Sequence, residues 1–119
     1  MPIPLVENDG HYLNCQMMDL LVSVYDPDGA NAVNPLCWPY FATESDLEGL
    51  PPHFITVNEL DPLRDEGKAY FRKLIAAGVA AVGRVNLGLT HAAEMSFRQA
   101  AADAYKAAVR DISGFATSL

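Results

Sequence analysis

The chain has 119 residues, enough for one small domain of the usual ~100–150 residues, and half of them are hydrophobic, which excludes a disordered or linker-like polymer. Fifteen acids against eight bases leave a formal net charge of −7, and with no Lys/Arg cluster this argues against nucleic-acid binding. No apolar run approaches the ~20 residues that span a bilayer, and Met1 to Glu7 has neither the basic region nor the apolar core of a signal peptide.

In chain order, a first unit over 1–25 carries an amphipathic helix from about Asp9 to Tyr25. Its stripe is Leu13, Met17, Leu20, Leu21 and Val24, and Asn8 or Asp9 is placed to cap it. Asp26-Pro27-Asp28-Gly29 ends the helix with turn chemistry. A loop follows over 26–52, punctuated by Asn34-Pro35, Trp38-Pro39, Gly49 and Pro51-Pro52. Trp38, Tyr40 and Phe41 read mainly as packing for so long a loop, with an acyl pocket as the alternative. Cys15 and Cys37 are too few and too irregular for a disulfide framework or a four-ligand zinc site. They read as reduced thiols of a cytoplasmic protein.

His53-Phe54-Ile55-Thr56-Val57-Asn58 is a β-rich run that fits a buried strand, 53–58. Pro62 can open a crossover helix over about 62–77, capped by Asp61, that runs through Tyr70, Phe71, Leu74 and Ile75 and stops at Gly78. Residues 79–85 read as a second strand, weakened by Gly83. A terminal helix near 101–118 turns Tyr105, Ala108, Val109, Ile112, Phe115, Ala116 and Leu119 inward. Strand–helix–strand–helix over 53–119 implies parallel pairing through a right-handed crossover. Two parallel strands are too little sheet for a stable domain, so further strands are expected to pair from outside this chain.

Two residues stand where such a sheet builds sites. Asp61 follows the end of the first strand, and His91 follows the second in Leu87-Gly88-Leu89-Thr90-His91. Acid and imidazole would emerge from neighbouring strand ends on one edge, where a carboxylate can hold the imidazole in one tautomer. By composition alone Asp61 would be an ordinary helix cap. Glu59 and Asp65 are the runner-up acids, Arg64 and Glu66 read as structural partners of the turn, and Leu87 and Leu89 flank the histidine. His11 and His53 read as bland, one in the first turn of a helix and one at a strand start.

Asn34-Pro35-Leu36, Gly49-Leu50-Pro51-Pro52, Asp61-Pro62-Leu63-Arg64-Asp65-Glu66-Gly67, Ala77-Gly78-Val79 and the loop histidine resemble the hormone-sensitive-lipase-like family of α/β-hydrolase carboxylesterases. The closing Val109-Arg110-Asp111-Ile112-Ser113-Gly114-Phe115 is similar to its bacterial branch, which includes brefeldin A esterase and heroin esterase. The resemblance implies that residues 1–119 are the C-terminal portion of one α/β-hydrolase domain, with Asp61 the acid and His91 the general base of a Ser-His-Asp triad. It implies hydrolysis of small carboxylic esters without a cofactor or metal. The chain departs from the family where Ala92-Ala93 follows the histidine, since many members have Gly there. It also contains no Gly-x-Ser-x-Gly elbow and no His-Gly-Gly-Gly loop: Ser23, Ser45, Ser96, Ser113 and Ser118 all lack the flanking glycines. The nucleophile and oxyanion loop are therefore expected in a companion segment or chain, and this chain alone is expected to be inactive. The alternative is a non-catalytic hydrolase relic or interaction module.

Overall fold

The computed structural model describes residues 7–119, so most of the opening stretch read for a leader lies outside the described residues. Helix α1, Cys15–Tyr25, starts later than the hydrophobic stripe suggests. Gly10 (φ 86) and Tyr12 (φ 74) are left-handed and break the chain before it, leaving His11 and Leu13 in turns rather than on a helix. Asn14 is the cap, its Oδ1 accepting the Met17 N–H at 2.7 Å. Asp9 accepts the Cys15 N–H instead, and Asn8 is used elsewhere. The apolar stripe stays largely exposed, with Leu20 and Val24 at 63% and 71%.

The 26–52 stretch is more ordered than expected of a loop. Gly29 (φ 62) closes a turn onto the Asp26 carbonyl, and the buried Asp26 carboxylate accepts the Asn31 N–H at 3.1 Å. A 3-10 turn spans Pro39–Phe41 and a short helix α2 spans Glu44–Leu47. Thr43 and Asp46 form a capping box there, each side chain accepting the other's backbone N–H. The result presses Ala42 and Leu47 into a core with Leu74 and Val79. No disulfide joins Cys15 and Cys37.

Strands β1, His53–Asn58, and β2, Ala81–Asn86, pair in parallel, in register from His53↔Ala81 to Asn58↔Asn86. Helix α3, Arg64–Ala76, connects them. It ends in a Schellman motif: Gly78 (φ 75) donates to the Ile75 carbonyl and Val79 to the Leu74 carbonyl, while both Leu74 and Val79 are core residues. That use of Val79 explains why β2 begins at Ala81 and not at residue 79.

Alternation along the strands assigns the faces. Ile55, Val57, Ala81 and Gly83 face α3, where the Phe71 ring lies against Gly83 so closely that a Cβ would stand 3.1 Å from it. The glycine that weakens the strand thus seats the helix. Phe54 and Arg84 face the other way, onto helix α5, Ala102–Thr117, which follows a short helix α4, Ala93–Ser96. Phe115 stacks on Phe54 with centroids 5.7 Å apart, and Asp111 pairs with Arg84. Helices therefore cover both faces of a sheet that has two strands within the described residues. The order is the strand–helix–strand–helix unit with parallel pairing that the sequence suggested.

Candidate active site

The register places Asn58 opposite Asn86, so the segments leaving β1 and β2 depart from the same edge. They stay joined beyond the strands: the Glu59 N–H donates to the Asn86 carbonyl and the Leu60 N–H to the Leu89 carbonyl, both at 2.9 Å. Asp61 and His91 meet across this seam, His91 Nδ1 lying 2.8 Å from Asp61 Oδ2. Asp61 is 8% exposed, whereas the His91 side chain is 36% exposed.

Asp61 does not cap α3 as expected. Its Oδ1 accepts the Leu63 N–H at 2.9 Å, an Asx turn that places the helix start at Arg64, with the buried Pro62 inside the turn. One carboxylate oxygen thus holds its own backbone and the other is left for the imidazole. An ionised carboxylate only accepts, so against it Nδ1 of His91 is the donor, and a neutral imidazole so oriented presents its lone pair at Nε2. Nε2 has no partner among the described residues. His91, Asp61, Asn58, Glu66, Tyr70 and Glu94 are among the residues that line a cavity of about 380 Å³.

The runner-up acids serve other groups. Glu59 Oε2 accepts the Gly88 N–H at 2.6 Å, bracing the start of the histidine loop. Asp65 pairs with Arg64 at 2.9 Å, which holds its carboxyl below the usual carboxylate range. Arg64 also donates to the Glu59 carbonyl at 2.8 Å, and the buried Asn8 side chain stands 3.4 Å from the Glu59 and Asp61 carbonyls. Glu66 has no salt-bridge partner among the described residues, and burial pushes its carboxyl up. His53 lies at the far end of β1, its Nδ1 2.7 Å from the Pro51 carbonyl. Trp38, Tyr40 and Phe41 line an apolar groove of about 960 Å³ against α1, which shares Leu63 and Glu66 with the cavity that His91 lines.

Sequence reasoning overlooked a polar cluster behind the pair. Asn86 Nδ2 donates to Thr56 Oγ1 and to Asn58 Oδ1, both at 2.8 Å, and Asn58 Nδ2 donates to the Thr90 carbonyl and to Glu94 Oε2. The readable signal was two strands that both end in Asn, a residue depleted from strands. Ala92, where a Gly is common in the resembled family, is left-handed at φ 49, ψ 24, and turns the chain from His91 into α4. A Cβ is strained in that conformation, which is the physical reason a Gly suits it.

No described helix is long and apolar enough to cross a membrane. The arylesterase of Saccharolobus solfataricus is 39% identical over 85 residues, which is 70% of this chain and 27% of that protein. The structure of brefeldin A esterase, a bacterial homologue of human hormone-sensitive lipase, superposes with a TM-score of 0.93 at 53% identity, over 95% of this chain and 31% of its own. A thermostable esterase from Pseudomonas putida superposes with a TM-score of 0.86 at 34% identity, over 93% of this chain and 35% of its own. The chain thus spans about a third of the length of these relatives or less. Residues 4–95 match the family described as the alpha/beta hydrolase fold. On this match and that superposition, the chain belongs to the α/β-hydrolase family, in its hormone-sensitive-lipase-like branch.

Proposed function

We propose that this chain supplies the acid and the general base of a serine carboxylesterase whose nucleophile lies outside residues 1–119. The observation that carries the reading is the His91–Asp61 hydrogen bond of 2.8 Å, made where two adjacent parallel strands end. Within the complete hydrolase, Nε2 of His91 takes the proton of a serine Oγ as it attacks an ester carbonyl. The imidazolium that forms is stabilised by Asp61, which stays ionised, and it then protonates the departing alkoxide. Water attacks the acyl-enzyme with the same Nε2 as base, releasing the carboxylic acid and restoring the serine. Both half-reactions need only proton transfers at Nε2, an oxyanion hole and a nucleophile. The last two require a companion segment, since the sequence holds neither Gly-x-Ser-x-Gly nor His-Gly-Gly-Gly. The chain alone is accordingly inactive, the substrates are small-molecule esters, and the complete protein works in the cytoplasm.

The test is hydrolysis of a short-chain aryl ester by the complete hydrolase. His91→Ala should lower turnover by on the order of 10⁴–10⁶ and Asp61→Asn by about 10⁴, without multiplying in the double variant, since the two act as one unit. His11→Ala and His53→Ala should stay within about threefold. Near-normal turnover by a folded His91→Ala protein would remove the basis for the assignment.

A further inference from the structure

We propose that Asn58 and Glu94 are positioning residues that set His91 against Asp61, an inference that rests on the triad reading above. Asn58 is 3% exposed and sits where β1 ends. Its main-chain carbonyl accepts the Asp61 N–H at 3.2 Å, anchoring the acid's turn. Its side chain reaches the other way, where one Nδ2 hydrogen goes to the Thr90 carbonyl at 2.7 Å, the residue before His91, and the other to Glu94 Oε2 at 2.6 Å. One residue therefore grips the acid turn with its backbone and brackets the histidine, from Thr90 to Glu94, with its carboxamide.

The orientation of that carboxamide is dictated by its neighbours. Both groups facing Nδ2 are acceptors, and the Asn86 amide facing Oδ1 is a donor. A flipped amide would oppose oxygen to oxygen twice and N–H to N–H once. Glu94 is 8% exposed and has no cation beside it among the described residues, so Asn58 is its hydrogen-bonding counterpart. The bracket matters because the loop's other ties to the acid's turn, Glu59 to Gly88 and Leu60 to Leu89, lie before Thr90, while Ala92 is held in a conformation that resists a Cβ and His91 is partly exposed. A base displaced by about 1 Å can lose on the order of 10² in rate.

Asn58→Asp tests this in the complete hydrolase, because it keeps the shape and removes both donors. It also sets a carboxylate against Glu94 and the Thr90 carbonyl. The expected result is a kcat lowered by about 10² with KM within about threefold, and loss of the downfield proton resonance of His91 Nδ1–H. Asn58→Asp combined with Glu94→Gln restores one donor–acceptor pair and should recover about tenfold in kcat together with the resonance. A kcat within threefold of the parent, or a loss that the double variant does not relieve, overturns the proposal. Should Asn58→Asp fail to fold, Glu94→Ala takes its place: it is expected to lower kcat about tenfold, and an unchanged kcat counts against the bracket. Retained turnover in His91→Ala would refute the triad reading. The resonance needs no turnover, so it still decides separately whether Asn58 holds His91 on Asp61.

Discussion

Gly67 sits in the first turn of α3, where a Cβ would lie 2.5 Å from Cγ1 of Val57 on β1. Ordinary carbon contacts are about 3.5–4.0 Å, so Gly67→Ala forces roughly 1 Å of movement on the helix or the strand. Val57 is β-branched and stiff at χ1, so its methyl cannot rotate aside cheaply. Overpacking of this kind costs about 1–3 kcal/mol, and the better helix propensity of Ala offsets about 0.8–1.0 of it. Gly67→Ala should therefore destabilise the complete hydrolase by up to about 2 kcal/mol. Val57→Ala removes the obstructing methyl, and in that background Gly67→Ala should be neutral or stabilising by up to about 1 kcal/mol. The cycle thus has a coupling of about 1–3 kcal/mol between two residues on different elements. Urea unfolding followed by circular dichroism measures it. Ester turnover on the same samples reports whether α3, moving to relieve the clash, drags the Asp61 turn and lowers kcat. Equal effects of Gly67→Ala in both backgrounds would refute the close approach of α3 to β1.

Ala92→Gly should stabilise by roughly 1 kcal/mol or slightly less, because the relief of a left-handed Cβ exceeds the added freedom of the unfolded chain; a urea midpoint that stays put or falls would contradict the φ of 49. Burial raises the Glu66 carboxyl, so the fold disfavours its ionised form. Its stabilising contribution is complete below the unfolded value near 4.3 and is lost as pH rises through the folded value. Glu66→Gln should therefore gain on the parent at neutral pH and match it below about pH 4, and a pH-independent gap between the two melting curves would rule this out.

The pattern of what was legible follows from which forces are local. β1 was readable to the residue because a β-rich run lies between Pro52 and an acid-rich turn, and the stop at Gly78 because a left-handed residue there leaves little choice. The start of α1 was misplaced because Gly10 and Tyr12 turn the chain before Asn14, and hydrophobic spacing does not register a single left-handed residue. Helix α2 was announced by Thr43 and Asp46 but hidden by the prolines on either side. Asp61 and His91 could be paired because each follows a strand in a parallel unit. The Asn58–Glu94 bond was hidden because Glu94 lies on α4, past the left-handed Ala92, and strand-end position does not say where that turn sends a side chain.

The Asx turn at Asp61 also bears on which acid can occupy that position. Asp and Glu differ little in intrinsic acidity, so proton affinity gives no reason to prefer one. Reach does: the carboxylate must touch the N–H two residues ahead at 2.9 Å and the imidazole at 2.8 Å at once. A side chain one methylene longer carries its oxygens past the backbone donor, and a glutamate could satisfy the histidine only by releasing the turn. The chain therefore selects its acid by length, and the same short side chain that orients the base also decides where α3 begins.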